Sequence, residues 1–282
     1  MVQSFWITKY CRFARKVWLI KMRIIFVRHG EPDYKNDTLT EKGKREANLL
    51  SERIRKWEVT DFYCSPLGRA KATALPTLEK TGRSAETLEW TQEFFYPIDD
   101  PVTGRHGVPW DLVPSFWSGD PLMLSQEDWV TAGIMRQNSD IPQKRDEVFR
   151  NLDKLVEKYG YVRDHNFYRA VGKKPVFITS TTSPDNVEQV RHPSGSEKEP
   201  VIVIFCHLGA ICMMLSHLIN IPFPLLAHGF FLPPTSLTIL ATEERWDNEA
   251  YFRVQSMGDV HHLLAGGEPV AQAGYFASPF QG

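Results

Sequence analysis

The chain of 282 residues is 42% hydrophobic, 12% aromatic and 24% charged, the balance of a globular protein with a sizeable core. Its formal net charge of −1 removes any global argument for nucleic acid or an anionic membrane as partner. No apolar run reaches the roughly 18 residues of a membrane span. The four cysteines, Cys11, Cys64, Cys206 and Cys212, form no CxxC pair and read as free thiols in a reducing, cytoplasmic compartment.

Residues 1–21 carry Lys9, Arg12, Arg15, Lys16 and Lys21 and no acids, with Phe5, Trp6, Phe13 and Trp18 between them. They read as a dispensable basic extension, because Met22 stands directly before the first strand. The alternative is an amphipathic helix on a membrane surface, the only stretch suited to one. No small-residue cleavage site follows, which argues against a signal peptide.

Residues 22–27 are apolar throughout and predict a strand buried on both faces. After a polar loop, Thr40 caps a helix over 41–57, with Glu41 where the dipole favours an acid. A second strand is expected over 59–64. Ser65-Pro66 then reads as N-cap and first residue of a helix to about Lys80, with Gly82 just beyond it. Glu86–Trp90 predicts strand three.

Residues 94–122 are dense in Pro, Gly, Asp and aromatics, including Phe94, Phe95, Tyr96, Trp110, Phe116 and Trp117. A loop of this length in a compact domain suggests a lid. Ser125 with Asp128 resembles a capping box and predicts a helix over 126–138. A helix over 143–159 follows, with Val148, Leu152, Leu155, Val156 and Tyr159 on one face.

Residues 161–198, polar apart from a short apolar piece at Val176-Phe177-Ile178, read as a surface excursion or a hairpin. Val201-Ile202-Val203-Ile204-Phe205 is the strongest strand signal. A helix over 210–220 stops before Pro222, strands follow at 235–241 and 250–255, and the tail 266–282 is expected to fray. The alternation of strands and helices predicts an α/β sandwich with a mostly parallel central sheet. The expected organisation is the extension 1–21, a domain over 22–265 with insertions at about 94–145 and 161–198, and a flexible tail.

Two of these apolar strands end in a histidine followed shortly by glycine: Arg28-His29-Gly30-Glu31 and Cys206-His207-Leu208-Gly209. In an open α/β sheet, ligands sit at the carboxyl ends of strands, so both histidines should face one crevice. Arg69 opens the helix after strand two at the same edge. Two arginines, two histidines and helix N-termini make an anion pocket, because guanidinium groups match phosphate oxygens with paired hydrogen bonds.

These segments, with Leu39-Thr40-x-x-Gly43 and Ser65-Pro66-Leu67-Gly68-Arg69-Ala70, resemble the histidine phosphatase superfamily, also called phosphoglycerate mutase-like, over about residues 22–260. The resemblance implies a three-layer α/β/α sandwich with an inserted lid. It implies no metal and no cofactor. It also implies a two-step phosphoryl transfer in which His29 is the nucleophile and forms a phosphohistidine. Gly30 would leave room for phosphate and offer its carbonyl to the other ring nitrogen. Arg28, Arg69 and His207 would bind the phosphate oxygens, with Asn36 and Leu208 as further candidate contacts. The general acid lies just after the third strand in this family. Glu93 occupies that place, with Asp99 and Asp100 in reserve.

One departure stands out. Many members carry an asparagine seven positions after the first arginine, where this chain has Lys35 and then Asn36. That departure and Glu31-Pro32 weaken the mutase branch.

The bland readings are a small buried residue for Cys206 and packing for His217 and His228. His261-His262 with Asp259 reads as no metal site, because adjacent residues on a strand point to opposite faces. The leading expectation is a phosphomonoesterase acting on a small phosphorylated metabolite. The runners-up are a phosphoglycerate mutase and an inactive phospho-ligand scaffold. Specificity is expected in 94–145 and 161–198, where the aromatics hint at a ring-bearing leaving group.

Overall fold

The architecture follows from two adjacent apolar strands. A computed structural model describes residues 22–171, 199–246 and 248–274. The basic extension 1–21, Val176-Phe177-Ile178 and the tail beyond residue 274 lie outside the described residues.

In chain order, β1 (Arg23–Arg28) leads through two short pairing strands, β2 (Pro32–Asp33) and β3 (Thr38–Leu39), into α1 (Glu41–Ile54). Then come β4 (Asp61–Cys64), α2 (Gly68–Thr81) and β5 (Ala85–Thr87). The insertion holds the small hairpin β6 (Ile98–Asp99) and β7 (His106–Gly107), the single turn α3 (Pro114–Trp117) and several 3-10 turns. After it come α4 (Asp140–Glu157), the hairpin β8 (Tyr161–Asp164) and β9 (Phe167–Ala170), and β10 (Val201–Cys206). The chain closes with α5 (Leu208–Ile219), α6 (Phe223–Gly229), β11 (Leu237–Trp246), β12 (Glu249–Asp259) and α7 (His261–Ala265).

The eight-stranded sheet has the order β5-β4-β10-β1-β11-β12-β9-β8. From β5 to β1 every pairing is parallel, and from β1 to β8 every pairing is antiparallel. Only β11 and β9 run against the other strands. The parallel half expected from the apolar runs is the half whose strands end in Arg28-His29 and Cys206-His207.

Alternation along β1 and β10 explains the layers. Ile24, Phe26, Ile202 and Ile204 join a core with Leu152 and Leu155 of α4 and Met213 of α5. Ile25, Val27, Val203 and Phe205 join a second core with Leu50 and Ile54 of α1 and Ala70 of α2. The sheet therefore lies between two helical layers.

Several local expectations are corrected. The helix after β4 has Leu67 as N-cap, not Ser65, and Ser65 Oγ instead accepts from the Leu67 N–H at 3.3 Å. Gly82 does end it, in the left-handed conformation at φ 63°. The expected helix over 126–138 is replaced by 3-10 turns at Asp128–Thr131 and Met135–Gln137. Ser125 and Asp128 exchange the cap hydrogen bonds. However, full burial of Trp129 and Met135 sets the path, and Gly133 interrupts it. The segment 161–170 is the β8–β9 hairpin, and it extends the main sheet through β12. His261 and His262 lie in α7, not on a strand. The start of the tail does not fray: Val270 and Ala271 are buried, and Glu268 pairs with Lys42 and Arg45 of α1. No helix among the described residues is long and apolar enough to cross a membrane.

Candidate active site

The parallel register sets the site. Arg28 stands beside Cys206, and the His29 N–H donates to the Cys206 carbonyl at 3.0 Å, so both strands deliver a histidine to the same edge. The two rings lie 5.2 Å apart, centroid to centroid, at a 54° tilt. They are 1% and 0% exposed and form the sealed floor of the site.

His29 Nδ1 lies 2.8 Å from the Gly30 carbonyl, which can only accept. That contact places the ring proton on Nδ1 and leaves Nε2 with its lone pair. Burial, reinforced by the nearby Arg28 charge, lowers the His29 pKa to about 3. His207 Nε2 lies 2.8 Å from Ser65 Oγ, and burial with the neighbouring His29 and arginines pushes its pKa well down. Both rings are neutral at pH 7.

The loop after β1 is held by close backbone approach. A Cβ on Gly43 would lie 2.3 Å from the Glu31 carbonyl oxygen, and one on Gly30 would lie 2.9 Å from that of Gly43. Thr40 Oγ1 accepts from the Gly43 N–H at 3.1 Å and donates to Glu31 Oε1 at 2.8 Å. The Thr40-x-x-Gly43 pattern is therefore the dock of α1 against the His29 loop. The Gly30 N–H donates to Thr73 Oγ1 at 2.9 Å.

Arg28 donates from Nη1 to the Leu232 carbonyl at 2.5 Å and from Nη2 to the Ala273 carbonyl at 2.8 Å. Arg69 Nη1 donates to Asp37 Oδ1 at 2.6 Å, while Asp37 Oδ2 accepts from the Gly68 N–H at 2.6 Å. Arg28 Nε, Arg69 Nε and His207 Nδ1 are buried with no hydrogen-bond partner among the described residues. Unpaired buried nitrogens on these three side chains are costly unless an anion takes their hydrogen bonds.

Glu93 lines the same cavity as Arg28 and Arg69. Its Oε1 accepts from the Phe94 N–H at 2.9 Å and the Ala210 N–H at 3.2 Å. Burial raises its pKa, against the opposing pull of Arg28 and of those two N–H groups. The cavity, of about 1270 Å³, is bounded by Arg28, Arg69, Glu93 and Leu208 at its base.

The structure thus gathers His29, His207, Arg28, Arg69, Gly30 and Glu93, with Leu208 beside them. It does not bring in the rest. Asn36 is exposed, and its side chain donates to Asp33 at 2.7 Å. Asp99 pairs with His106 on the surface, and Asp100 Oδ1 accepts from the Val102 and Thr103 N–H groups in a turn. Asp37, Ser65, Thr73 and Ala273 were missed by sequence reasoning. Asp37 adopts φ 46°, a left-handed turn that polar sequence alone does not single out.

Residues 24–99 match the family model of the Histidine phosphatase superfamily (branch 1). Over that stretch the chain is similar to the histidine phosphatase superfamily. No curated protein matches the chain by sequence.

Among solved structures, the product of an open reading frame of Mycobacterium tuberculosis is 15% identical, at a TM-score of 0.50. That match covers 84% of this chain and 97% of the other, and shows the shared fold. A phosphoserine phosphatase mutant from Entamoeba histolytica in complex with phosphoserine is 18% identical, covering 86% and 99%, at 0.48. A mycobacterial glucosyl-3-phosphoglycerate phosphatase is 17% identical, covering 84% and 98%, at 0.46.

Proposed function

We propose that the protein is a phosphomonoesterase that works through a phosphorylated His29 on a phosphorylated metabolite. His29 Nε2 attacks phosphorus, an N–P bond forms and the P–O bond to the leaving alcohol breaks. Glu93 gives its proton to that oxygen. Water then attacks phosphorus, Glu93 takes back a proton, the N–P bond breaks and phosphate leaves. Arg28, Arg69 and His207 hold the phosphate oxygens through both steps, and the Gly30 carbonyl holds the His29 ring in its reactive tautomer. Leu208 lies at the edge of that subsite.

One observation carries this reading. The Nδ1–carbonyl contact leaves Nε2 unprotonated near three buried nitrogens that have no partner among the described residues. The steps require neither metal nor cofactor. We also take residues 22–265 as one catalytic domain with an inserted lid. Its cytoplasmic setting is supported by buried free thiols at Cys64, Cys206 and Cys212.

Rapid quench with p-nitrophenyl phosphate should trap an acid-labile, base-stable phosphoprotein, absent in His29→Ala along with turnover. Turnover retained by His29→Ala would overturn the mechanism. The mutase alternative predicts interconversion of phosphoglycerates, in the presence of 2,3-bisphosphoglycerate, faster than phosphate release. We expect release to dominate.

A further inference from the structure

We propose that the leaving group is a large, uncharged, ring-bearing alcohol, and that the enzyme selects against esters carrying a second anion. This rests on the reading above, in which the phosphate occupies the base of the cavity.

Size is the first argument. Ligand sites commonly enclose roughly 300–1,000 Å³. This cavity, at about 1270 Å³, is far larger than a phosphate with a three-carbon leaving group requires.

The walls are the second argument. Above the base the cavity is bordered by Phe95, Tyr96, Trp110, Trp117, Phe230 and Phe231. These rings are not merely the packed centre of the insertion. That part is filled by Phe94, Trp129 and Phe223, all nearly fully buried. Trp110 packs edge-on against Phe223 at 6.1 Å, and Trp117 stacks on His228 at 4.6 Å, so both wall rings are fixed in place. Phe95 and Tyr34 remain 57% and 65% exposed at the cavity wall, where an apolar guest would cover them.

Charge is the third argument. Among the described residues, Arg28 and Arg69 are the only lining side chains that carry a fixed positive charge, and both stand at the base. Higher up, the Asp111 carboxylate is already neutralised by Arg105. His228 supplies no charge either. Its Nδ1 donates to the Pro224 carbonyl at 2.8 Å, its Nε2 accepts from the Leu112 N–H at 3.4 Å, and that pattern fits only the neutral ring. A carboxylate or second phosphate on the leaving group would lose its water and meet no cation. An aromatic body would bury its surface against rings and lose nothing.

The test measures kcat/KM for phosphate release from four esters of primary alcohols: 2-(2-naphthyl)ethyl phosphate, ethyl phosphate, O-phosphoserine and 3-phosphoglycerate. We expect the naphthyl ester to exceed ethyl phosphate by about 100-fold, as burial of a ring system implies. Phosphoserine and 3-phosphoglycerate should fall at or below ethyl phosphate. Phe95→Ala and Trp117→Ala should each shrink the naphthyl-to-ethyl ratio by about tenfold. Phe95 is exposed enough that its replacement leaves the fold intact. Faster turnover of phosphoserine or 3-phosphoglycerate, or a ratio that neither substitution moves, would overturn the inference while leaving the phosphatase reading standing. No release from any of the four, nor from p-nitrophenyl phosphate, would instead overturn the phosphatase reading itself.

Discussion

Glu93 and Ala210 meet across the base of the cavity, where one carboxylate oxygen accepts the Ala210 N–H at 3.2 Å in the first turn of α5. The same oxygen accepts the Phe94 N–H. Two donors on Oε1 push the carboxyl proton to Oε2, which accepts no hydrogen bond among the described residues. Burial raises the pKa, so the proton is held to higher pH than on a free carboxyl group. In the proposed mechanism this proton goes to the leaving oxygen. Glu93→Gln should therefore reduce kcat on alkyl phosphates by about 10²–10⁴. It should reduce p-nitrophenyl phosphate turnover much less in the first step, because that leaving group departs without a proton. Equal losses on both esters in single-turnover assays would remove Glu93 from the acid role.

The pH dependence has a definite sign. His29 keeps a pKa of about 3, so lowering pH from 7 to 5 should not protonate the proposed nucleophile. Glu93 loses its proton as pH rises through its raised pKa, so kcat for alkyl phosphates should fall on the alkaline side. Stability runs the other way. The unfolded chain binds protons at its histidines near pH 6.5, whereas folded His29 and His262, lowered to about 3 and about 4, do not. Stability is then complete above about pH 6.5 and is lost as pH falls towards 4, by a few kcal/mol in total. Urea midpoints at pH 7, 5.5 and 4.5 would check this, and a midpoint that rose on acidification would contradict it.

Gly209 should be intolerant of a methyl group. A Cβ there would lie 2.5 Å from Trp110 Cη2 and 2.7 Å from Glu93 Oε1, too close for either. Gly209→Ala must move the carboxyl, the indole or both. Overpacking of this kind costs about 1–3 kcal/mol. With Glu93 displaced, kcat on alkyl phosphates should fall at least tenfold while the thermal midpoint drops by several degrees. A variant with unchanged kcat would mean that Glu93 does not depend on this contact.

The parallel half of the fold was legible because β1 and β10 are apolar on both faces. A run such as Ile24-Ile25-Phe26-Val27 has only one stable place, the middle of a covered sheet. Register then followed from physics that a linear pattern contains only implicitly: two strands ending in histidine become one site when they are neighbours. The helix expected over 126–138, where 3-10 turns stand instead, shows the opposite case. Its cap signal was real, but Trp129 and Met135 are buried by tertiary packing, which overrides a weak local preference. The supports of the two arginines were invisible for another reason. Leu232, Ala273 and Gly68 contribute backbone atoms, which carry no residue-type signature, and Asp37 depends on a left-handed turn. The segment 266–274 looked loose because its composition is rich in Gly, Ala and Pro. Its anchoring comes from Glu268 and from two small buried side chains.

That anchored segment leads to the last prediction. Glu268 accepts from Arg45 Nε and Nη2 at 2.9 and 3.0 Å and from Lys42 Nζ at 3.2 Å, and Lys42 also reaches the Pro269 carbonyl. These cations hold the Glu268 carboxyl at a pKa of about 2, so the latch stays charged in ordinary buffers. Five residues on, the Ala273 carbonyl accepts from Arg28 Nη2, one of the two backbone contacts that orient this guanidinium. Glu268→Ala should release the segment and leave Arg28 held by Leu232 alone. In the proposed mechanism Arg28 binds phosphate before and during the reaction, so the loss is one of uniform binding. KM for p-nitrophenyl phosphate and Ki for inorganic phosphate should rise together, by about tenfold, with a smaller change in kcat. Glu268→Gln, which keeps the length but loses the charge, should fall between. Unchanged KM and Ki in Glu268→Ala, with a lowered thermal midpoint, would show that the latch serves the fold without positioning Arg28.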